Sequence, residues 1–322
     1  MGNVEKAATR LACIIAWPAS HSRSPLIHNY WIKQHNLNAE YRREAVPPED
    51  LADFIAHFRE RGYVGGNVTV PHKVKMLALS EPDERARAVG AANCLWYEGE
   101  KLRSTNTDVE GFLANLDAAT PGWDRGLESA VVLGAGGGAR AVVYALLTRE
   151  VKKVYVINRT PERAQALVKQ FGSRVHAAGW SETTGLLGGA GILVNTTTLG
   201  MIGQPPLDMN LRCQPSLVVA DLVYAPLLTG LLATARERGL RTADGLGMLL
   251  HQAVRGFHLW FGVKPEVTPA LRALVEEDLL QTMDEKAKAR VAAREKPKPA
   301  PKLEAKPQKI RRNKKPREGF SA

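Results

Sequence analysis

Val131-Val-Leu-Gly134-Ala-Gly136-Gly-Gly138-Ala139 decides how this chain is read: an apolar run stops at a glycine turn, and a helix-forming segment follows at once. Glycine permits the tight turn and lets backbone N–H groups approach a pyrophosphate at the helix N-terminus. With that flanking strand and helix, Gly134, Ala135, Gly136, Gly137, Gly138 and Ala139 read as a dinucleotide cradle. A merely structural turn is the plainer alternative. Further apolar runs at 154–157, 192–194 and 217–220 alternate with helix-forming segments at 139–147 and 161–171. Strands alternating with helices predict an open parallel sheet.

The upstream part alternates in the same way. Residues 11–16 are an apolar run, 25–35 suit a helix, and 49–61 follow Pro47-Pro48 with helical spacing at Leu51, Phe54, Ile55 and Phe58. Residues 65–70 read as a short strand stopped by Pro71, which suits the first turn of a helix holding Lys73. Another helix is expected from Asp108, with Val109, Phe112, Leu113 and Leu116 on one face. Two more are expected at 246–261 and 268–283. The fold class is therefore α/β in two domains. A Rossmann-type cofactor domain takes 114–243. A discontinuous α/β substrate domain takes 1–113 plus 244–283, with the active site in the cleft between them.

At 322 residues and 44% apolar composition, the chain can sustain both cores. No run of about 18 apolar residues suggests a membrane span. The first ten residues lack the apolar core of a secretory signal, and Lys6 stands where a myristoylation start wants Ser or Thr. Cys13, Cys94 and Cys213 fit neither a disulfide framework nor a metal knuckle, so the cytoplasm is expected and no metal is. The net charge of +11 belongs to one end. Of 44 Lys/Arg and 33 Asp/Glu, 14 and 3 fall in 286–322, which leaves 30 of each before it. Residues 284–322 are expected to be a disordered, basic, Pro/Lys-rich tail. It is a solvated appendage on the plain reading, and otherwise the only part suited to nucleic acid or anionic lipid.

Two short stretches carry the chemistry. In Asn67-Val-Thr-Val-Pro-His-Lys73, Asn67 and Thr69 alternate with valines and should share a strand face. Lys73 alone is an ordinary surface charge, and Asp108 in Asn106-Thr-Asp108 alone is an ordinary helix cap. Together with Asn93, they assemble an ammonium, a carboxylate and neutral hydrogen-bonding groups suited to a polar substrate. A charged dyad beside a cofactor cradle implies hydride chemistry on a hydroxylated small molecule. The strand ending near Ile157 has no acidic residue at its tip to accept from a ribose 2′-hydroxyl. Asn158, Arg159, Thr160 and Arg163 suit a 2′-phosphate instead, which selects NADP. Ordinary exposed arginines at a helix start are the plainer reading. His21 and His72 are expected to be structural, His21 packed against the cleft wall.

At these residues the chain resembles the shikimate dehydrogenases. Ala16-Trp-Pro-Ala-Ser-His-Ser22-Arg-Ser24-Pro25 is similar to the family's Gly-x-Pro-x-x-His-Ser-x-Ser-Pro. Residues 67–73 match Asn-Val-Thr-Val-Pro-x-Lys, and 106–111 match Asn-Thr-Asp-x-x-Gly. Asp244-Gly-Leu-Gly-Met248-Leu-x-x-Gln252 is similar as well, so the resemblance spans roughly residues 11–280. It implies that Lys73 and Asp108 are catalytic. It also implies that Ser22, Ser24, Thr69, Asn93, Asp108, Tyr224 and Gln252 hold the substrate, and that Thr196, Leu222, Gly245 and Met248 meet the cofactor. The implied reaction is reversible NADPH-dependent reduction of 3-dehydroshikimate to shikimate, by a monomer or homodimer. Two departures stand out: Ala16 for the opening glycine, with Trp17 able to narrow the pocket, and Cys94 where threonine is more usual. Alternatives are a dual quinate/shikimate enzyme, a related folate-type dehydrogenase, and a nucleic-acid-binding protein on a vestigial enzyme fold.

Overall fold

The computed structural model describes residues 8–295. The first part of the chain supplies β1 (Arg10–Ala16), α1 (Ser24–Gln34), β2 (Ala39–Ala45), α2 (Leu51–Ala56) and β3 (Tyr63–Val68). It continues with β4 (Glu81–Pro82), α3 (Glu84–Val89), the hairpin β5 (Cys94–Glu98) and β6 (Lys101–Thr105), and α4 (Asp108–Ala119). These strands form a mixed sheet in the order β2-β1-β3-β5-β6-β4. β1 is parallel to β2 and β3, whereas β3, β5 and β6 run antiparallel.

The next part supplies β7 (Ser129–Leu133), α5 (Gly137–Thr148), β8 (Lys153–Ile157), α6 (Pro161–Phe171) and β9 (Val175–Ala178). Then come α7 (Thr183–Leu187), β10 (Ile192–Asn195), β11 (Val218–Asp221), α8 (Gly230–Glu237) and β12 (Arg241–Ala243). All six strands are parallel, in the order β12-β11-β10-β7-β8-β9. Counted from β7 this is the doubly wound order 3-2-1-4-5-6, with its switch point beside the glycine turn. The chain then returns through α9 (Gly245–Phe261) and ends its described part in α10 (Pro269–Glu295).

Both faces of the parallel sheet are covered, which explains its near-continuous apolar runs. Ala130 and Val132 of β7 join a cluster with Phe112, Leu116 and Val142, while Val131 and Leu133 join the opposite one with Leu193 and Val219. The mixed sheet divides β1 likewise: Ala12, Ile14 and Ala16 face Trp31, Phe257 and Trp260, and Cys13 and Ile15 face Phe58 and Leu95. The two sheets belong to one compact unit that ends at Leu280. No helix among the described residues is long and apolar enough to cross a membrane.

Four local expectations need correction. The segment 49–61 holds only the short α2, because its apolar positions serve two turns, with Phe58 buried after the helix has ended. β3 stops at Val68, so the alternation fails beyond it: Val70 is 70% exposed rather than facing the core. Lys73 lies in a turn ahead of a single 3-10 turn, Lys75–Ala78, and not in an α-helix. α10 runs to Glu295 instead of ending at Met283, since alanine, lysine, glutamate and arginine are good helix formers even where nothing apolar is repeated. The rest of the expected disordered tail, 296–322, lies outside the described residues.

α4 and α9 cross closely because Gly111 has no side chain. A Cβ there would stand 2.6 Å from Gln252 Cβ and 2.8 Å from the Met248 carbonyl oxygen. Gly111→Ala should therefore cost roughly 1–3 kcal/mol, the usual scale of overpacking. A lower urea midpoint at unchanged m would register it. Gly185→Ala, where an added methyl meets nothing within 4 Å, is the control and should not lower the midpoint. Equal losses in both variants would rule out close packing as the cause.

Candidate active site

The connections between these elements, rather than their middles, assemble the site. Lys73 follows β3, Asn93 precedes β5, and Asp108 opens α4 after β6. The antiparallel β3–β5–β6 run brings all three to one end of the mixed sheet, with Asn67 and Cys94, then Cys94 and Thr105, paired in register. Lys73 Nζ donates to Asp108 Oδ2 at 2.5 Å, and the two side chains are 15% and 8% exposed. Asn93 Nδ2 donates to Asp108 Oδ1 at 2.8 Å and to Thr107 Oγ1 at 3.1 Å. The Thr107 backbone N–H returns a bond to Asn93 Oδ1 at 2.7 Å. Asp108 is thus no ordinary cap. Thr107 occupies the N-cap without a side-chain bond to the helix, and the aspartate's oxygens serve Lys73 and Asn93.

An ammonium has three N–H donors. Among the described residues only Asp108 engages that of Lys73, which leaves two for a ligand. Gln252 comes from α9 to meet Thr107, whose Oγ1 lies 3.4 Å from Gln252 Oε1. Tyr41, on β2, has a buried hydroxyl that donates to Asn67 Oδ1 at 2.7 Å. Ser24 opens α1, and its N–H donates to Ser22 Oγ at 3.3 Å. Thr69 follows β3, its N–H on the Ile15 carbonyl at 3.0 Å. Tyr224 is half-buried; burial pushes its phenol up, and the charge of Arg23, between the two serines, works against that.

The glycine turn abuts this cluster. A Cβ on Gly137 would stand 3.5 Å from Lys73 Cδ, so the lysine stem lies against the turn itself. Gly134 takes φ +104°, and a Cβ there would meet Thr196 Oγ1 at 2.6 Å. Leu222 covers Gly138, and an added Cβ on Gly245 would strike the Leu222 carbonyl. Met248, one turn into α9, is buried beneath. The N-terminus of α5 has no side-chain cap at Gly136, so the first-turn N–H groups remain free for an anion. Asn158 Nδ2 donates to the Thr160 carbonyl at 2.8 Å and shapes the start of α6. Arg159 and Arg163 flank Thr160, exposed, and neither guanidinium has a partner among the described residues. An uncapped glycine-rich helix start beside two unengaged guanidinium groups fits a phosphorylated dinucleotide.

Other expectations resolve differently. His21 is exposed rather than packed against a wall, while His72 is buried with Nε2 2.9 Å from the Val46 carbonyl, and burial lowers its pKa. Trp17 is 47% exposed, and Cys94 is sealed beneath α9 at Gly256. Sequence reasoning assigned no role to Tyr41, Thr107 or Asp221. The first lay in a strand it did not identify. Thr107 stood inside a quoted motif and Asp221 directly after an apolar run, and only their buried bonds distinguish them. A surface groove of about 520 Å³ beside Glu110, His251, Arg255 and Lys264 contains none of the residues above.

Comparison with known proteins agrees with this geometry. Family models match in order along the chain: the shikimate dehydrogenase substrate binding domain over 14–95, shikimate/quinate 5-dehydrogenase over 124–202, and the shikimate 5′-dehydrogenase C-terminal domain over 245–275. A Nitrobacter hamburgensis protein named shikimate dehydrogenase (NADP(+)) is 64% identical over 271 residues, 84% of this chain and 95% of its own. Shikimate 5-dehydrogenase from Thermus thermophilus, solved with NADP(H) and shikimate, is 33% identical with a TM-score of 0.71, covering 85% of this chain and 99% of that one. Quinate dehydrogenase from Corynebacterium glutamicum, solved with NAD, is 31% identical with a TM-score of 0.76, covering 83% and 98%. By sequence, fold and the order of its motifs, the chain belongs to the shikimate dehydrogenase family.

Proposed function

We propose that the chain catalyses the reversible NADPH-dependent reduction of 3-dehydroshikimate to shikimate, a cytoplasmic step of chorismate and aromatic amino-acid biosynthesis. One observation carries this reading: a hydrogen-bonded Lys–Asp pair, with two ammonium donors unengaged, lies against the glycine turn of a parallel dinucleotide fold. Residues 1–113 with 244–283 act as the substrate domain and 114–243 as the NADP domain. The separation into two sheets and the return of α9 to the first one support those limits.

Gly134 to Ala139 hold the pyrophosphate, Asn158, Arg159, Thr160 and Arg163 the adenosine 2′-phosphate, and Thr196, Leu222, Gly245 and Met248 the far end of the cofactor. Bound NADPH supplies the hydride. The protein supplies position and proton. As negative charge grows on the carbonyl oxygen, the Lys73 ammonium stabilises it and delivers a proton, directly or through water. Asp108 fixes Lys73 and receives a substrate hydroxyl. Ser22, Ser24, Thr69, Asn93, Tyr224 and Gln252 orient the other hydroxyls and the carboxylate, which keeps the reacting carbon within reach. Assaying NADP reduction with shikimate and quinate side by side tests the substrate; turnover of quinate at a comparable kcat/KM would make the enzyme dual.

Lys73→Ala should lower kcat by about 10²–10⁴, the usual scale for a positioned acid–base group, with a much smaller change in KM. Asp108→Asn should impair both binding and turnover, and the double variant should lose little more than the worse single one, as for groups that act as a unit. A folded Lys73→Ala enzyme with near-normal kcat would leave the lysine a binding residue only.

Cofactor choice gives an independent check. Arg159→Ala removes a charge-assisted contact worth roughly 1.5–3 kcal/mol. KM for NADP should rise about tenfold or more while KM for NAD barely moves. Steady-state kinetics with both cofactors decide, and equal effects would exclude the clamp.

A further inference from the structure

Leu133, Asn195 and Asp221 stand side by side at the C-terminal edge of the parallel sheet, in register across β7, β10 and β11. Each is the last residue of its strand, and each leads into a segment beside the cradle. Asn195 and Asp221 are almost completely buried, and Asn195 Nδ2 donates to Asp221 Oδ1 at 2.9 Å. The same Oδ1 accepts the Val223 backbone N–H at 3.0 Å, and Oδ2 accepts Thr229 Oγ1 at 2.7 Å. One carboxyl therefore joins three segments: the turn after β10, the turn after β11, and the N-cap of α8.

The ties extend outward from it. Asn195 Oδ1 accepts the N–H and the hydroxyl of Thr197, at 3.0 and 2.7 Å. Thr229 caps α8 through the Leu232 N–H, and the Ile202 N–H reaches across to the Ala225 carbonyl at 2.9 Å. Residues 196–202 and 222–229 thus behave as one body with Asp221 inside it. Its inner surface forms the wall of the cradle: Thr196 Oγ1 donates to the Leu133 carbonyl at 2.6 Å, and Leu222 Cδ2 would lie 3.2 Å from a Cβ on Gly138. The partners of the carboxyl are neutral donors, and burial pushes it up to about 6. Burying such a group is costly, so its retention calls for a reason other than stability.

A dinucleotide bound across the switch point has its adenosine over β8 and its other half over the strands on the far side of the turn, here β10 and β11. We propose that Asp221 is a positioning residue for the nicotinamide half of the cofactor: by holding Asn195, Val223 and Thr229 together it fixes Thr196 and Leu222 against the glycine turn beside Lys73. This rests on the NADP reading above. The adenosine half, at the opposite side of the turn, should not depend on Asp221. A brace that served only folding would affect both halves alike.

The full-length chain titrated with NADP and with 2′,5′-ADP, which lacks the nicotinamide half, tests this. In Asp221→Ala, NADP affinity should fall about tenfold, the scale of a lost hydrogen bond to a charged group, while 2′,5′-ADP affinity stays within about twofold. Asp221→Asn retains an acceptor for Asn195 and Val223 and turns an N–H toward the Thr229 hydroxyl, so it should restore NADP affinity to within about threefold of the parent. If Asp221→Ala does not fold, Thr229→Val removes the bond to Asp221 Oδ2 and the α8 cap with it, and should weaken NADP about threefold at unchanged 2′,5′-ADP affinity. Unchanged NADP affinity, or equal loss of both ligands, overturns the proposal. A parent protein that binds both ligands but does not turn over shikimate refutes the substrate reading and leaves this inference standing. A parent protein that binds neither refutes the cofactor reading and this inference with it.

Discussion

The Lys73–Asp108 pair is the constraint to which the surrounding structure answers. A carboxylate withdrawn from water needs its second oxygen matched as well as the one that meets the cation, because desolvation otherwise outweighs the attraction. Asn93 supplies the match by bonding Asp108 Oδ1 and bracing Thr107, the residue that starts α4. Those three groups follow three different strands or precede them, so the pair exists only if β3, β5 and β6 are neighbours. The antiparallel hairpin that interrupts an otherwise parallel pattern is therefore what makes the dyad.

A second requirement is that the pair meet the glycine turn of the other sheet. The lysine stem lies against Gly137 of that turn at van der Waals distance, and at Gly111 the missing side chain lets α9 lie against α4 and carry Gln252 to Thr107. The glycine of the Asn-Thr-Asp-x-x-Gly run therefore serves packing and not a turn: its added Cβ would meet α9, and it sits within a helix. Motif residues that look alike in the sequence divide in this way between chemistry and the clearance that chemistry needs.

The parallel sheet was legible because strands covered on both faces leave unbroken apolar runs beside a glycine turn, as at 131–139. The dyad was legible through its motifs, not through any property of a single lysine or aspartate. What escaped was local. β2, Ala-Glu-Tyr-Arg-Arg-Glu-Ala, carries mostly charged residues and has only Tyr41 buried, so no apolar pattern marks it. The β5–β6 hairpin turns at Gly99 with φ +60° among charged residues that resemble a loop. Lys73 was assigned to a helix because Pro71 suits a first turn, yet the backbone there is fixed by tertiary bonds: His72 to Val46, and the Ala92 N–H to the Lys73 carbonyl. No spacing rule could report those bonds, because their partners are distant in sequence.

Two buried aspartates show how one residue type is put to opposite uses. Asp108 is matched by an ammonium that is itself only partly buried. Asp221 is surrounded by an amide, a backbone N–H and a hydroxyl, and is sealed from solvent, so it acts through geometry alone. The first needs a carboxylate because a cation must be held and aimed. The second needs only well-placed acceptors, and burial without a cation favours its neutral form. Both close the C-terminal end of their sheets, where loops rather than strands decide chemistry. A cation holds the first aspartate in place, and neutral donors hold the second.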